Sequence, residues 1–204
     1  MSARPAGRVN QKARTRQAIV RAAGTLLARG QKPSLDEIAE EAQVSRATAY
    51  RYFPGLDALL SEAAVDLMVP APDDLFENAP ADALERLALV DETFDRACHE
   101  REVALRLMLA RTLERSIKRK PGEPPLRQNR RVPLIERALA PLAPRLGRAR
   151  MTRLAQALAM IVGTEGLIAL EDVVGLDPGQ ARDVRRWAMD ALVAAALNEA
   201  YSAG

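Results

Sequence analysis

Ser45, Arg46, Ala47, Thr48, Ala49, Tyr50, Arg51, Tyr52 and Phe53 follow one another in the first third of the chain. On a helical wheel of about 100° per residue, Ala49 and Phe53 fall together and face inward. Ala47 and Arg51 lie opposite, flanked by Thr48 and Tyr52 on one side and Tyr50 on the other. The outward face therefore offers a small apolar group, a long cation, a hydroxyl and two phenols. Those groups suit the reading of a DNA groove. Arg46 or Arg51 can pair with guanine, Ala47 and Thr48 can meet a thymine methyl, and hydroxyls can fix phosphates. The same wheel also suits an ordinary packed helix, since short polar helices bearing Tyr or Arg are common in helical proteins.

Such a helix needs neighbours to position it. Ser45 is a candidate N-cap that opens it, and Pro54-Gly55 closes it. Upstream, Ser34-Leu35-Asp36-Glu37 reads as a capping box, beginning a helix that turns Leu35, Ile38, Ala39 and Ala42 inward. Two short helices joined by about three residues make the helix-turn-helix pattern. A first helix over Gln11–Arg29 carries the stripe Ala18, Ile19, Ala22, Ala23, Leu26 and Leu27, and Gly30 stops it. A fourth helix follows, with Leu59, Leu60, Ala63, Ala64, Leu67 and Met68 on one face.

Pro70, Pro72 and Pro80 then bracket a broken stretch. Beyond it the helical period continues over residues 82–99 and 101–117, joined near His99, and a basic, helix-breaking connector covers 118–125. Helices are expected around Pro133–Leu142, over Arg148–Val173 and over Pro178–Ala200, the last behind an Asp177 cap. Almost nothing alternates as a strand would. The predicted fold is all-α.

Composition narrows the function. Apolar residues make up 48% of the 204, enough for a packed core. No apolar run approaches the roughly 20 residues a bilayer demands, and Met1–Gln11 lacks the apolar centre of a secretory signal. One Cys (Cys98) and one His (His99) make neither an internal disulfide nor a metal cluster, and a cytoplasmic protein is expected. No nucleophile–base or metal spacing supports an enzyme, and no cofactor is implied. Residues 1–60 hold ten Lys and Arg against five acids, whereas the other 144 hold 20 against 22. A basic first third on a near-neutral remainder suits a polyanionic partner. A solvated basic surface explains the same counts.

The stretch Thr15–Leu60, TRQAIVRAAGTLLARG…SLDEIAEEAQVSRATAYRYFPGLDALL, resembles the DNA-binding region of the TetR family along nearly its whole length. The shared elements are the T-R-x-x-I-x-x-A-A opening, the L-x-x-R-G helix end and the x-x-I-A-x-x-A-x-V-S-x-x-T-x-Y-x-Y-F core. The resemblance implies an N-terminal helix-turn-helix domain over 1–60 and a C-terminal helical effector-binding and dimerisation domain over 61–204. It implies a homodimer on a (pseudo)palindromic double-stranded DNA operator, usually a repressor released by a small-molecule effector. By position it carries DNA contact onto Arg46, Ala47, Thr48, Tyr50, Arg51 and Tyr52. Ser34 and Ser45 would cap helices whose N-termini face phosphate. The chain departs from the pattern at a short Gly30–Ser34 loop, at Leu27 and Ala49 where Phe and Leu are usual, and at Leu56 where a basic residue is frequent.

The last two helices fit a dimer interface in that architecture. Leu154, Leu158, Ile161, Glu165 and Ile168 recur at spacings of three and four, and Gly163 and Gly166 would admit a partner helix. Val184, Ala188, Ala191 and Ala195 form a small-residue seam, so the two helices from each subunit would build a four-helix bundle. Packing within one chain is the alternative use of the same faces. An effector pocket is expected among helices 82–170. Only four aromatics follow residue 60, so its expected occupant is apolar or acidic, met by His99, Arg106 or Arg111. Cys98 reads either as a buried structural thiol or as an electrophile sensor. A DNA binder without an effector and an enzyme on a borrowed fold are the competing readings.

Overall fold

The computed structural model describes residues 5–120, 126–127 and 129–202. Residues 121–125 of the expected connector, and the side chains of Ala64, Leu67 and Met68 on the fourth helix, lie outside that description. In chain order the helices are α1 (Pro5–Ala28), α2 (Leu35–Glu41), α3 (Arg46–Tyr52), α4 (Leu56–Met68), α5 (Pro72–Phe76) and α6 (Ala83–Glu100). They continue as α7 (Glu102–Ile117), α8 (Arg131–Ala138), α9 (Ala143–Ile161), α10 (Thr164–Leu167) and α11 (Pro178–Ser202). A 3₁₀ turn covers Ala140–Leu142 and a π-helical turn Ile168–Val173. No strand occurs among the described residues, and the fold is all-α.

The chain divides into two compact units, Met1–Met68 with Arg101–Gln128, and Val69–Glu100 with Asn129–Gly204. Residue 60, where the sequence places the end of the DNA-binding part, lies inside α4. In the first unit, Ile19, Val20, Ala23 and Leu26 of α1 pack with Ile38 and Ala39 of α2, Ala49 of α3, Phe53, and Leu59 and Ala63 of α4. Across this core Arg16 of α1 forms a two-pronged ion pair with Glu62 of α4, both side chains buried. α7 packs on α4 in the same unit.

The second unit has its own core, with Leu87, Val90 and Phe94 of α6, Leu134 and Ile135 of α8, Leu154 and Leu158 of α9, and Met189 and Val193 of α11. Within it Arg185 of α11, only 3% exposed, reaches Asp91 at 3.1 Å and Asp95 at 2.6 Å on α6. Burial pushes the Asp91 carboxyl above its ordinary range even with Arg185 beside it. α5 escapes the sequence reading. Pro72 in its first turn, with Asp73 and Asp74 at its positive end, starts it, and Phe76 anchors it.

The single helix expected over Arg148–Val173 is instead three pieces. α9 stops at Ile161, Val162 is extended with ψ 123°, and Gly163 takes φ +107°. Gly166 explains the tightness of the bend, because a Cβ there would stand 2.0 Å from the Ile161 carbonyl oxygen. Arg131 of α8 holds the bend. Its Nη1 donates to the carbonyls of Ala159 (2.9 Å) and Val162 (2.8 Å), which the broken helix leaves without amide partners, and its Nη2 pairs with Glu165 at 2.9 Å. The two glycines therefore serve the chain's own bend.

No single described helix is long and apolar enough to cross a membrane; the bent pair Ala140–Ile161 with Thr164–Val173 passes only by joint length and composition. Its Leu154 and Leu158 are buried in the second unit's core.

Two measurements check this account. Gly166→Ala must push the Ile161 backbone aside and should lower unfolding free energy by about 1–3 kcal/mol in denaturant titration; an unchanged midpoint would refute the bend as described. Cys98 is buried, with Sγ 3.6 Å from Thr164 Oγ1, and burial pushes its thiol up against the opposing pull of that hydroxyl. It should react slowly with an aromatic disulfide reagent at neutral pH and at once in denaturant; fast native reaction would contradict its burial.

Candidate nucleic-acid interface

α3 is held by its ends. The Ser45 Oγ accepts the Thr48 amide at 3.1 Å and lies 2.9 Å from the Thr48 hydroxyl, so both hydroxyls are engaged at the helix start. Upstream, the Ser34 Oγ accepts the Glu37 amide at 3.3 Å while Glu37 Oε2 accepts the Ser34 amide at 2.7 Å. That is the reciprocal capping box expected from the sequence. Hydrogen bonding from the Ser34 backbone, and from its hydroxyl, lowers the Glu37 carboxyl below its ordinary range. The link between α2 and α3 turns at Gln43, which takes φ +53°, and the Val44 amide closes back onto the Ala39 carbonyl at 2.9 Å. A left-handed residue there lets so short a link reverse the chain.

Ala49 and Phe53 are buried and turn the rest of α3 outward, as the wheel requires. Ala47 and Arg51 are exposed, and Tyr50 is 52% exposed. Tyr52 is half-buried against the core, and the Arg51 guanidinium sits over its ring at 5.4 Å. Arg46 is exposed but paired with Asp36 of α2. The guanidinium that α3 leaves without an ion-pair partner among the described residues is therefore that of Arg51. Ser34, Ser45 and Thr48 offer little hydroxyl capacity beyond their caps. The outward surface reduces to Ala47, Tyr50 and Arg51, with Arg46 and Tyr52 at its edges.

Of the residues expected to meet an effector, His99 falls in the second unit and Arg106 and Arg111 in the first. The His99 Nδ1 is 2.8 Å from the Asp95 carbonyl and its Nε2 3.6 Å from Glu171. Arg106 donates to Glu102 at 2.8 Å on α7. Arg111, also on α7, lines a cleft within the first unit. The other walls of that cleft include Arg16, Phe53 and Glu62, which no local pattern marks because they come from three separate segments.

The residues expected at a dimer face also part company. Leu154 and Leu158 are taken up by the second unit's core, and Ile161 packs half-buried against it. On α11 the seam faces outward: Val184, Ala191 and Ala195 are exposed and Ala188 half-buried. Trp187, absent from the sequence-based seam, is 72% exposed one helical turn from Val184 and Ala191.

Comparison with known proteins bears on both units. Residues 19–63 match the family described as bacterial regulatory proteins, tetR family. No curated protein matches the chain significantly. The fold is similar to the crystal structure of a TetR transcriptional regulator from Rhodococcus sp. RHA1, with a TM-score of 0.52 and 18% identity over 88% of this chain and 96% of that one. At that identity the likeness speaks for the fold. The matched region contains α2, α3 and the Ala49–Phe53 anchor, together with parts of α1 and α4. Residues 19–63 thus carry a match to the TetR-family DNA-binding region, on a wholly helical frame whose fold is like that of a TetR regulator.

Proposed function

We propose that the chain is a repressor, acting in the cytoplasm as a homodimer on a (pseudo)palindromic operator and released by a small-molecule effector. The observation that carries the DNA half is the division of α3, where Ala49 and Phe53 are buried and Ala47, Tyr50 and Arg51 project. In this reading Arg51 reads a base edge and Ala47 meets a thymine methyl in the major groove, while the Tyr50 and Tyr52 hydroxyls hold phosphates. Ser34 and Ser45 act indirectly, by fixing helix starts whose remaining amides favour an anion. Arg46 joins in only by exchanging Asp36 for DNA.

A dimer is supported by α11, whose seam of Val184, Ala188, Ala191 and Ala195 is interrupted by no charge and carries the exposed Trp187. An aromatic anchor among small residues is the composition of an interface core. Two α3 helices would then be spaced about one DNA turn, or a multiple of it, apart. An effector that prefers a conformation with another spacing would release the operator through a difference in binding free energy of a few kcal/mol. The reading gives the chain no catalytic step and no cofactor.

The test is binding of the purified protein to DNA upstream of its own gene, against a scrambled fragment, over a salt series. Preference for the native fragment with a steep salt slope is expected, and equal weak affinity for both would defeat the operator reading. Arg51→Ala should cost specific binding about 1–3 kcal/mol while leaving scrambled DNA less affected; Tyr52→Phe should weaken both alike. If neither changes operator affinity, the assigned face is not the one that reads DNA. Joint replacement of Trp187 and Ala191 by Glu should shift sedimentation to the monomer mass without lowering the melting temperature. A dimer that survives both charges would place its interface elsewhere.

A further inference from the structure

The cleft lined by Arg111 has a volume of about 240 Å³ and lies wholly within the unit that carries α3. α7 gives it Met108, Thr112 and Arg115 as well as Arg111, and α4 gives it Ala58. The turn Phe53-Pro54-Gly55 closes a third side. Phe53, Pro54, Ala58 and Met108 make an apolar surface. The charged wall, Arg16 with Glu62, is a buried pair that largely cancels itself. Arg111 and Arg115 are different: both are exposed, one turn apart on α7, and neither has an ion-pair partner among the described residues. Glu114 and Arg127 also reach the rim, so arginines outnumber acids there.

We propose that this cleft binds a short-chain anionic amphiphile, its carboxylate at Arg111 and Arg115 and its hydrocarbon against Phe53, Ala58 and Met108. Two arginines spaced to approach one carboxylate select the charge, because charge-assisted hydrogen bonds are the stronger kind. The apolar surface selects a hydrocarbon body. The volume, below the roughly 300–1,000 Å³ of sites for drug-sized ligands, limits that body to a short chain. The regulatory meaning of the site rests on the repressor reading above. Phe53 is at once a lining residue and the residue that ends α3, with the Arg16 guanidinium 4.6 Å above its ring. An occupant that touches Phe53 and Ala58 therefore bears on the anchor of the recognition helix without passing through the second unit. By linkage, whatever such a ligand does to DNA affinity, DNA does to the affinity for the ligand.

The experiment uses the full chain, with sodium octanoate as probe and octanamide and octylammonium as neutral and cationic controls, in titration calorimetry. Octanoate should bind once per chain and more tightly than either control. Arg111→Gln combined with Arg115→Gln should weaken octanoate by at least about tenfold and leave octanamide unchanged. Ala58→Trp and Thr112→Trp, which fill the cleft from opposite walls, should each abolish binding in protein whose thermal melting stays cooperative. No octanoate binding at millimolar concentration, binding indifferent to both tryptophans, or equal affinity for octanamide would overturn the site. Operator binding is measured on the same samples. Octanoate failure with operator binding intact removes only the cleft, and operator failure with octanoate bound removes only the repressor reading.

Discussion

Arg16 and Glu62 are both shielded from water and lie on helices that the chain makes far apart, α1 and α4. Each offsets the cost of burying the other, and stripping one partner from a buried pair costs about 3–5 kcal/mol. The planar fork of arginine demands a carboxylate at a defined angle, so the pair fixes how α4 lies across α1 as well as its distance. Phe53 rests beneath the same guanidinium at 4.6 Å. The tilt of α3, the α3–α4 turn and one wall of the cleft are thereby referred to a single side chain. Apolar contacts around it supply bulk stabilisation, and the ion pair supplies orientation.

What could be read in advance was whatever depends on neighbours in sequence. The box at Ser34–Glu37, the Ser45 cap, the Asp177 cap and the inward turn of Ala49 and Phe53 are decided within four residues, and the structure carries each of them. The pairing of Arg16 with Glu62, the pairing of Arg46 with Asp36 and the assembly of the cleft depend on which segments meet. No local periodicity encodes that. Arg46 shows the difference well: its place on the helix wheel was legible, and its engagement by Asp36 of α2 was not.

The second unit shows a subtler limit. Leu154 and Leu158 recur at helical spacing whether the helix they meet belongs to the same chain or to a partner, so spacing alone cannot choose between the two. The structure gives them to the chain's own core. Gly163 and Gly166 likewise fit two stories, close approach of another helix or a break in their own. The structure shows the break, which Ile161 and Arg131 shape through contacts that span the bend and α8. Trp187 belongs to no small-residue pattern, and its ring is exposed beside the α11 seam.

Ala49 is the only fully buried residue within α3, and Phe53 follows just beyond its end. A seven-residue helix cannot sustain itself by its own hydrogen bonds, so its persistence depends on one methyl, one ring and two capped ends. Amide exchange would find α3 at the shallow end of the protein's local opening energies, well below α1 with its row of buried side chains. Contact with a duplex would deepen that opening energy before it altered any other part of the unit. If α3 is the helix that reads the duplex, part of the binding free energy is consumed in quieting it, and the heat capacity of association carries that ordering as its signature.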